Sequence, residues 1–143
     1  MPIKPENRHR YPADWREIRA QILDRAGHCC EKCGVADHAV GWRDAAGVFH
    51  PIDYLWTSYG LGLDEDGARL SMANAQRQAD FLTARERLVP TPGMRGRWFV
   101  IVLTIAHLDH MPENCEPENL RAWCQRCHNT YDAPERARRR EHD

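Results

Sequence analysis

Hydrophobic and polar positions repeat with different periods along the chain, and the strongest signal lies late. Residues 98–105, WFVIVLTI, are almost all apolar and rich in β-branched side chains, which predicts one strand covered on both faces. Two stretches carry a helical period. Trp15, Ile18, Ile22 and Ala26 recur every three or four positions, predicting an amphipathic helix that starts at Asp14 and stops at Gly27. The Asp14 to Glu17 spacing is that of a capping box. Met72, Ala75, Ala79 and Leu82 form a second stripe within residues 71–88, ended by Pro90, Pro92 and Gly93. Pro112 and Pro117 exclude helix from residues 108–118. Leu120 and Trp123 then predict a short helix beginning at Asn119. Asp132-Ala133-Pro134-Glu135 has an N-cap pattern and predicts a separate basic helix through Arg140.

The remaining segments are weaker. Pro2, Pro5 and Pro12 predict an extended N-terminal stretch. Residues 40–42 and 48–49 pair as short strands across 44–47, and 53–59 are a further strand candidate. Residues 60–67, GLGLDEDG, lack phosphate-loop and calcium-loop spacing and read as a surface loop.

With 143 residues, 42% of them hydrophobic and 29% charged, the chain fits a single soluble domain. No apolar run is long enough for a membrane span. The N-terminus has no apolar signal core, so a cytoplasmic location is expected. The net charge of −1 does not announce a nucleic-acid binder, but its distribution is uneven. Lys4, Arg8, Arg10, Arg16, Arg19, Arg25 and Lys32 lie near the start, and Arg121, Arg126, Arg136, Arg138, Arg139 and Arg140 near the end. Brought together, these ends form a phosphate-facing surface; held apart, they are ordinary solvated helix faces.

Two C-x-x-C pairs, Cys30/Cys33 and Cys124/Cys127, predict a four-thiolate structural zinc site. A reducing compartment favours metal over disulfides for such pairs. Gly34 lets the first pair turn tightly. Cys29 is an alternative first ligand at C-x-x-x-C spacing, and Cys115 reads as a plain loop residue. On the expected helix, Cys124 and Cys127 share one face, while His128 lies about 100° further round and faces a second site.

Residues 104–132, TIAHLDHMPENCEPENLRAWCQRCHNTYD, resemble the HNH endonuclease family. His107 stands as the first His, Asn119 as the Asn and His128 as the last His, and the phrase HLDH…N…ENL…CQRCH follows the phage and bacterial type. The resemblance implies an α+β chain, a ββα-metal core with an N-terminal helix and an inserted segment. It makes residues 1–143 one nuclease domain, with the core in 13–34 and 97–132, an insertion at 35–96 and a basic tail at 133–143. It also implies DNA phosphodiester hydrolysis. His107 would be the general base, Asn119 would hold the loop, and His128 would bind a catalytic Mg2+ or similar cation. Arg121, Arg126, Arg138 and Arg139 are the candidate DNA contacts, and a homodimer would serve double-strand cutting. In one respect the chain departs from the family. The residue before the base, where many members carry a metal-binding Asp or His, is Ala106. Asp109 is the candidate replacement ligand. Asp132 is another, weighed against its N-cap reading. His110 competes with His107 as the base. A zinc-containing nucleic-acid-binding module without catalysis is the alternative reading.

Overall fold

Leu103–His107 (β4) and Leu120–Cys124 (β5) pair antiparallel in continuous register, Leu103 opposite Cys124 and His107 opposite Leu120. The helix Gln125–Glu141 (α3) follows β5 with no intervening loop. This strand–strand–helix unit belongs to a computed structural model that describes residues 3–53 and 58–141. The chain divides into two units, Met1–Gly34 with Leu103–Asp143, and Val35–Val102. Secondary structure is mixed α and β with two small sheets.

In the first unit, the N-terminal residues form a 3-10 turn, Pro5–Arg10, where an extended stretch was expected. The helix Trp15–Arg25 (α1) follows, and its apolar stripe faces inward through buried Ile22 and Leu23. Asp14 sits at the N-cap position, but its side chain makes no capping bond, so the capping box does not form. The stop at Gly27 does hold. Gly27 has φ +64°, its N–H donates to Asp24 O (3.0 Å), and the N–H of His28 donates to Leu23 O (2.9 Å). That is the Schellman pattern, which needs the left-handed backbone that glycine adopts without strain.

The second unit, Val35–Val102, holds an antiparallel sheet of three strands. They are Val40–Asp44 (β1), Phe49–Pro51 (β2) and Met94–Val100 (β3), in the order β2-β1-β3. The hairpin across residues 44–47 is as expected. Met72–Arg85 (α2), capped by Ser71 Oγ accepting from Asn74 N–H, packs Ala75, Ala79 and Leu82 against Val40, Ile52, Leu70 and Val100. The candidate strand at 53–59 falls largely outside the described residues, and Tyr59 opens a 3-10 turn, Tyr59–Leu61.

Three further expectations need correction. The apolar run 98–105 is two strands, because Ile101 turns away from β3 and exchanges hydrogen bonds with residues 38 and 39 (2.7 and 2.8 Å). Residues 120–124 are a strand, and Asn119 closes a 3-10 turn, Pro117–Asn119. Finally, α3 is one continuous helix with Pro134 inside it. Asp132 is therefore mid-helix and caps nothing. Among the described residues, no helix is long and apolar enough to cross a membrane.

Candidate metal centre and histidine cluster

A two-stranded ribbon leaves unpaired backbone groups on its outer edges. Here the edge of β5 is closed by the segment carrying the first cysteine pair. Glu31 N–H donates to Ala122 O, and Glu31 Oε1 accepts from Ala122 N–H, both at 2.8 Å. Arg25 reaches across from the end of α1, donating to Pro117 O (2.9 Å), Leu120 O (2.7 Å) and Glu31 Oε1 (2.8 Å). Arg25 is thus a clamp and not the solvent-facing cation its helical position predicts. Arg19 likewise donates to Leu103 O at 3.3 Å.

This docking delivers Cys30 and Cys33 to the end of β5. The Sγ atoms of Cys30, Cys33, Cys124 and Cys127 all lie within 4.8 Å of one another, and Cys33 Sγ is 3.7 Å from Cys124 Sγ. Both pairs turn alike. Cys33 N–H points at Cys30 Sγ (3.5 Å), and the Cys127 N–H donates to the Cys124 sulfur. Gly34, at φ +84°, closes the first turn with its N–H on Cys30 O (2.9 Å). Cys30 and Cys124 are buried. Hydrogen bonding from Cys124 draws the Cys30 thiol down to about 4, while the same contact pushes Cys124 up. Burial raises Cys127 to about 11. The cluster can hold a metal ion, and Cys30, not Cys29, completes it.

His107 ends β4 with 9% of its surface exposed. Its ring stacks on Trp15 (5.3 Å between centroids, 23° between planes) and meets the edge of Tyr11 at 5.9 Å. Nε2 lies 3.7 Å from Cys115 Sγ, a weak partner whose S–H donates to Pro112 O (3.2 Å). Burial holds His107 below its ordinary value of 6.5, with Asp109 opposing. An imidazole in this setting is neutral near pH 7 and free to accept a proton.

The loop between the strands is fastened by Asn119. Its Nδ2 donates to Asp109 Oδ1 (2.9 Å) and Asn114 O (2.8 Å), and its Oδ1 accepts from Asp109 N–H (3.2 Å). Asp109 also accepts from Met111 N–H (2.9 Å) and Asn114 Nδ2 (2.8 Å), and these donors lower its carboxyl to about 2. Oδ1 accepts two of these bonds and Oδ2 one, so Asp109 staples the loop.

His128, on the first turn of α3, faces a different set. Thr104 Oγ1 lies 2.6 Å from His128 Nδ1 and 3.3 Å from Trp123 O, so its side chain holds the ring from the Nδ1 side. On the other side of the ring, Nε2 lies 3.0 Å from Asp132 Oδ2. Asp132 Oδ1 is 3.3 Å from His110 Nδ1. An imidazole nitrogen and a carboxylate oxygen at this distance share an N–H···O hydrogen bond, and both are groups that can ligate a divalent cation. Burial lowers the pKa of His128, and Asp132 opposes that. Tyr131 braces the group, its hydroxyl donating to Leu108 O and its ring packed on His110 (5.3 Å) and Trp123 (5.0 Å). Ala106, 1% exposed, offers nothing to this cluster.

The sequence reading named His107, Asn119, His128 and the four cysteines, and all lie in the first unit. It missed Tyr11, Trp15, Thr104 and the placement of Cys115, which no spacing rule marks. Period did offer Asp132, four residues after His128. Among the expected DNA-contacting arginines, Arg138 and Arg139 pair with Glu135 (2.6 and 3.2 Å), and Arg121 donates to Glu118 O and Leu120 O. Arg126 is exposed at the start of α3. Comparison with protein-family models, curated proteins and solved structures gives no match.

Proposed function

We propose that this chain is a metal-dependent DNA endonuclease of the HNH type, built on a structural zinc. One observation carries the reading. His107, Asn119 and His128 fall at the strand end, the loop closure and the first helical turn of one strand–strand–helix unit. The four sulfurs fit zinc. Tetrahedral Zn–S bonds near 2.3 Å place sulfurs about 3.8 Å apart, close to the 3.7 Å between Cys33 and Cys124.

The work divides among the chain's own groups. His107, neutral and walled by Trp15 and Tyr11, takes a proton from the attacking water. Asn119 and Asp109 hold the loop that carries the backbone of the base. His128 and Asp132, with His110 beside them, are the candidate ligands for a catalytic divalent cation. Asp132 supplies the carboxylate that Ala106 lacks. When bound there, Mg2+ or Mn2+ neutralises the phosphate and stabilises the leaving 3′ oxygen. With Thr104 on the Nδ1 side, Nε2 is the His128 atom that would ligate the cation.

The test is nicking of supercoiled plasmid by native protein and Asp132→Asn, with Mg2+ or Mn2+ and with chelator. The expected result is metal-dependent nicking by the native chain. Asp132→Asn should need roughly 10–100-fold more cation at unchanged zinc content. Nicking that ignores the cation or the substitution contradicts the assignment. The second reading, a zinc module that binds nucleic acid without cutting it, is favoured by Ala106. It predicts salt-sensitive DNA binding and no nicking under any metal.

A further inference from the structure

In the unit Val35–Val102, a cavity of about 250 Å³ opens between the end of α2 and β3, lined by Thr83, Glu86, Arg87, Gly96, Arg97 and Trp98. It belongs to none of the groups assigned above. Residues 85–97 hold four arginines, at 85, 87, 95 and 97, against the single carboxylate of Glu86. That carboxylate is fully engaged. It accepts from Thr91 N–H, from Thr91 Oγ1 (2.9 Å) and from Trp98 Nε1 (3.0 Å). Glu86 therefore ties the connecting loop to the strand and fixes the indole. With its N–H so used, the indole can show the cavity only its carbon ring, while Trp98 also packs on the buried cluster beneath. Arg87, Arg95 and Arg97 are exposed and form no ion pair among the described residues. Cationic forks beside a fixed apolar ring match a polyanion whose phosphates alternate with apolar sugar faces.

We infer that this cavity takes the sugar–phosphate backbone of a DNA strand, with Arg87 and Arg97 on phosphate oxygens and the Trp98 ring against a deoxyribose. The inference rests on the reading of the chain as acting on DNA, and it gives the Val35–Val102 unit a part in holding the substrate. Each phosphate contact releases condensed counterions, so binding through two arginines leaves a measurable mark on salt dependence.

The experiment is fluorescence anisotropy of a short labelled duplex over a salt series, with native protein, Arg87→Gln/Arg97→Gln and Arg87→Lys/Arg97→Lys. The glutamine pair should weaken binding and flatten the slope of log affinity against log salt by roughly 2, about one per lost phosphate contact. The lysine pair should restore the slope. A glutamine pair that binds with native affinity and slope overturns the inference, and it leaves the nuclease reading intact if the native chain nicks plasmid. A slope lost equally in both pairs contradicts a charge-based contact. Native protein that binds no DNA at any salt overturns both readings together.

Discussion

His107 combines burial with chemistry. Two aromatic rings shield it, and the burial that lowers its pKa also keeps it in the form a general base needs. The sign is definite. In the proposed role His107 acts when neutral, so the nicking rate should rise with pH through a value below 6.5 and be level by neutral pH. A pH–rate profile checks this, and a rise centred above 6.5 contradicts it. Stability has the same direction. A depressed histidine pKa contributes stability present above 6.5 and lost as the pH falls, because protonation favours the unfolded chain. The grouping of His107, Asn119 and His128 on one strand–strand–helix unit was legible in the sequence because they stand at set intervals. Trp15 was read only as part of an apolar stripe. That its ring would stack on His107 depends on how α1 meets β4, which no local pattern encodes. Asp132 shows the opposite case. Its local N-cap pattern was real, but α3 runs through it, and the position four residues beyond His128 decides which side chain it meets.

At the level of elements, β5 is the hinge of the account. Leu120 and Trp123, three apart, fit a helix, while Leu120, Ala122 and Cys124 fit a strand equally well. The strand prevails because pairing with β4 on one edge, and with Glu31 and Arg25 on the other, satisfies its backbone. Such partners, distant in sequence, are invisible to a local reading. For the same reason the run 98–105 read as one strand when it is parts of two. Arg25 makes the point testable. Arg25→Ala removes charge-assisted bonds to the carbonyls of Pro117 and Leu120, and should cost about 1–3 kcal/mol, seen as a lower denaturant midpoint. An unchanged midpoint would show that the clamp is dispensable.

The four cysteines join the two ends of the chain into one unit, and closing so long an intervening segment costs little more than closing a short one. A structural zinc contributes roughly 10–16 kcal/mol of apparent binding free energy in small zinc domains. Cys127→Ala should therefore lose zinc and much of the helical signal of α3. Undiminished zinc content and helicity in that variant would contradict a structural role. The C-x-x-C pairs were legible at once, because metal chemistry fixes their spacing. The Val35–Val102 unit was nearly silent as to function, since its arginines and Trp98 follow no motif and gain meaning only when α2 and β3 place them around one cavity. The most direct test of the whole account is plasmid nicking by zinc-loaded native protein beside His107→Ala, with zinc content measured in both. Cation-dependent nicking by the native chain is expected, with a loss of about 100-fold or more in the variant and zinc unchanged. Equal nicking by both proteins, or none by either under any divalent cation, would contradict it.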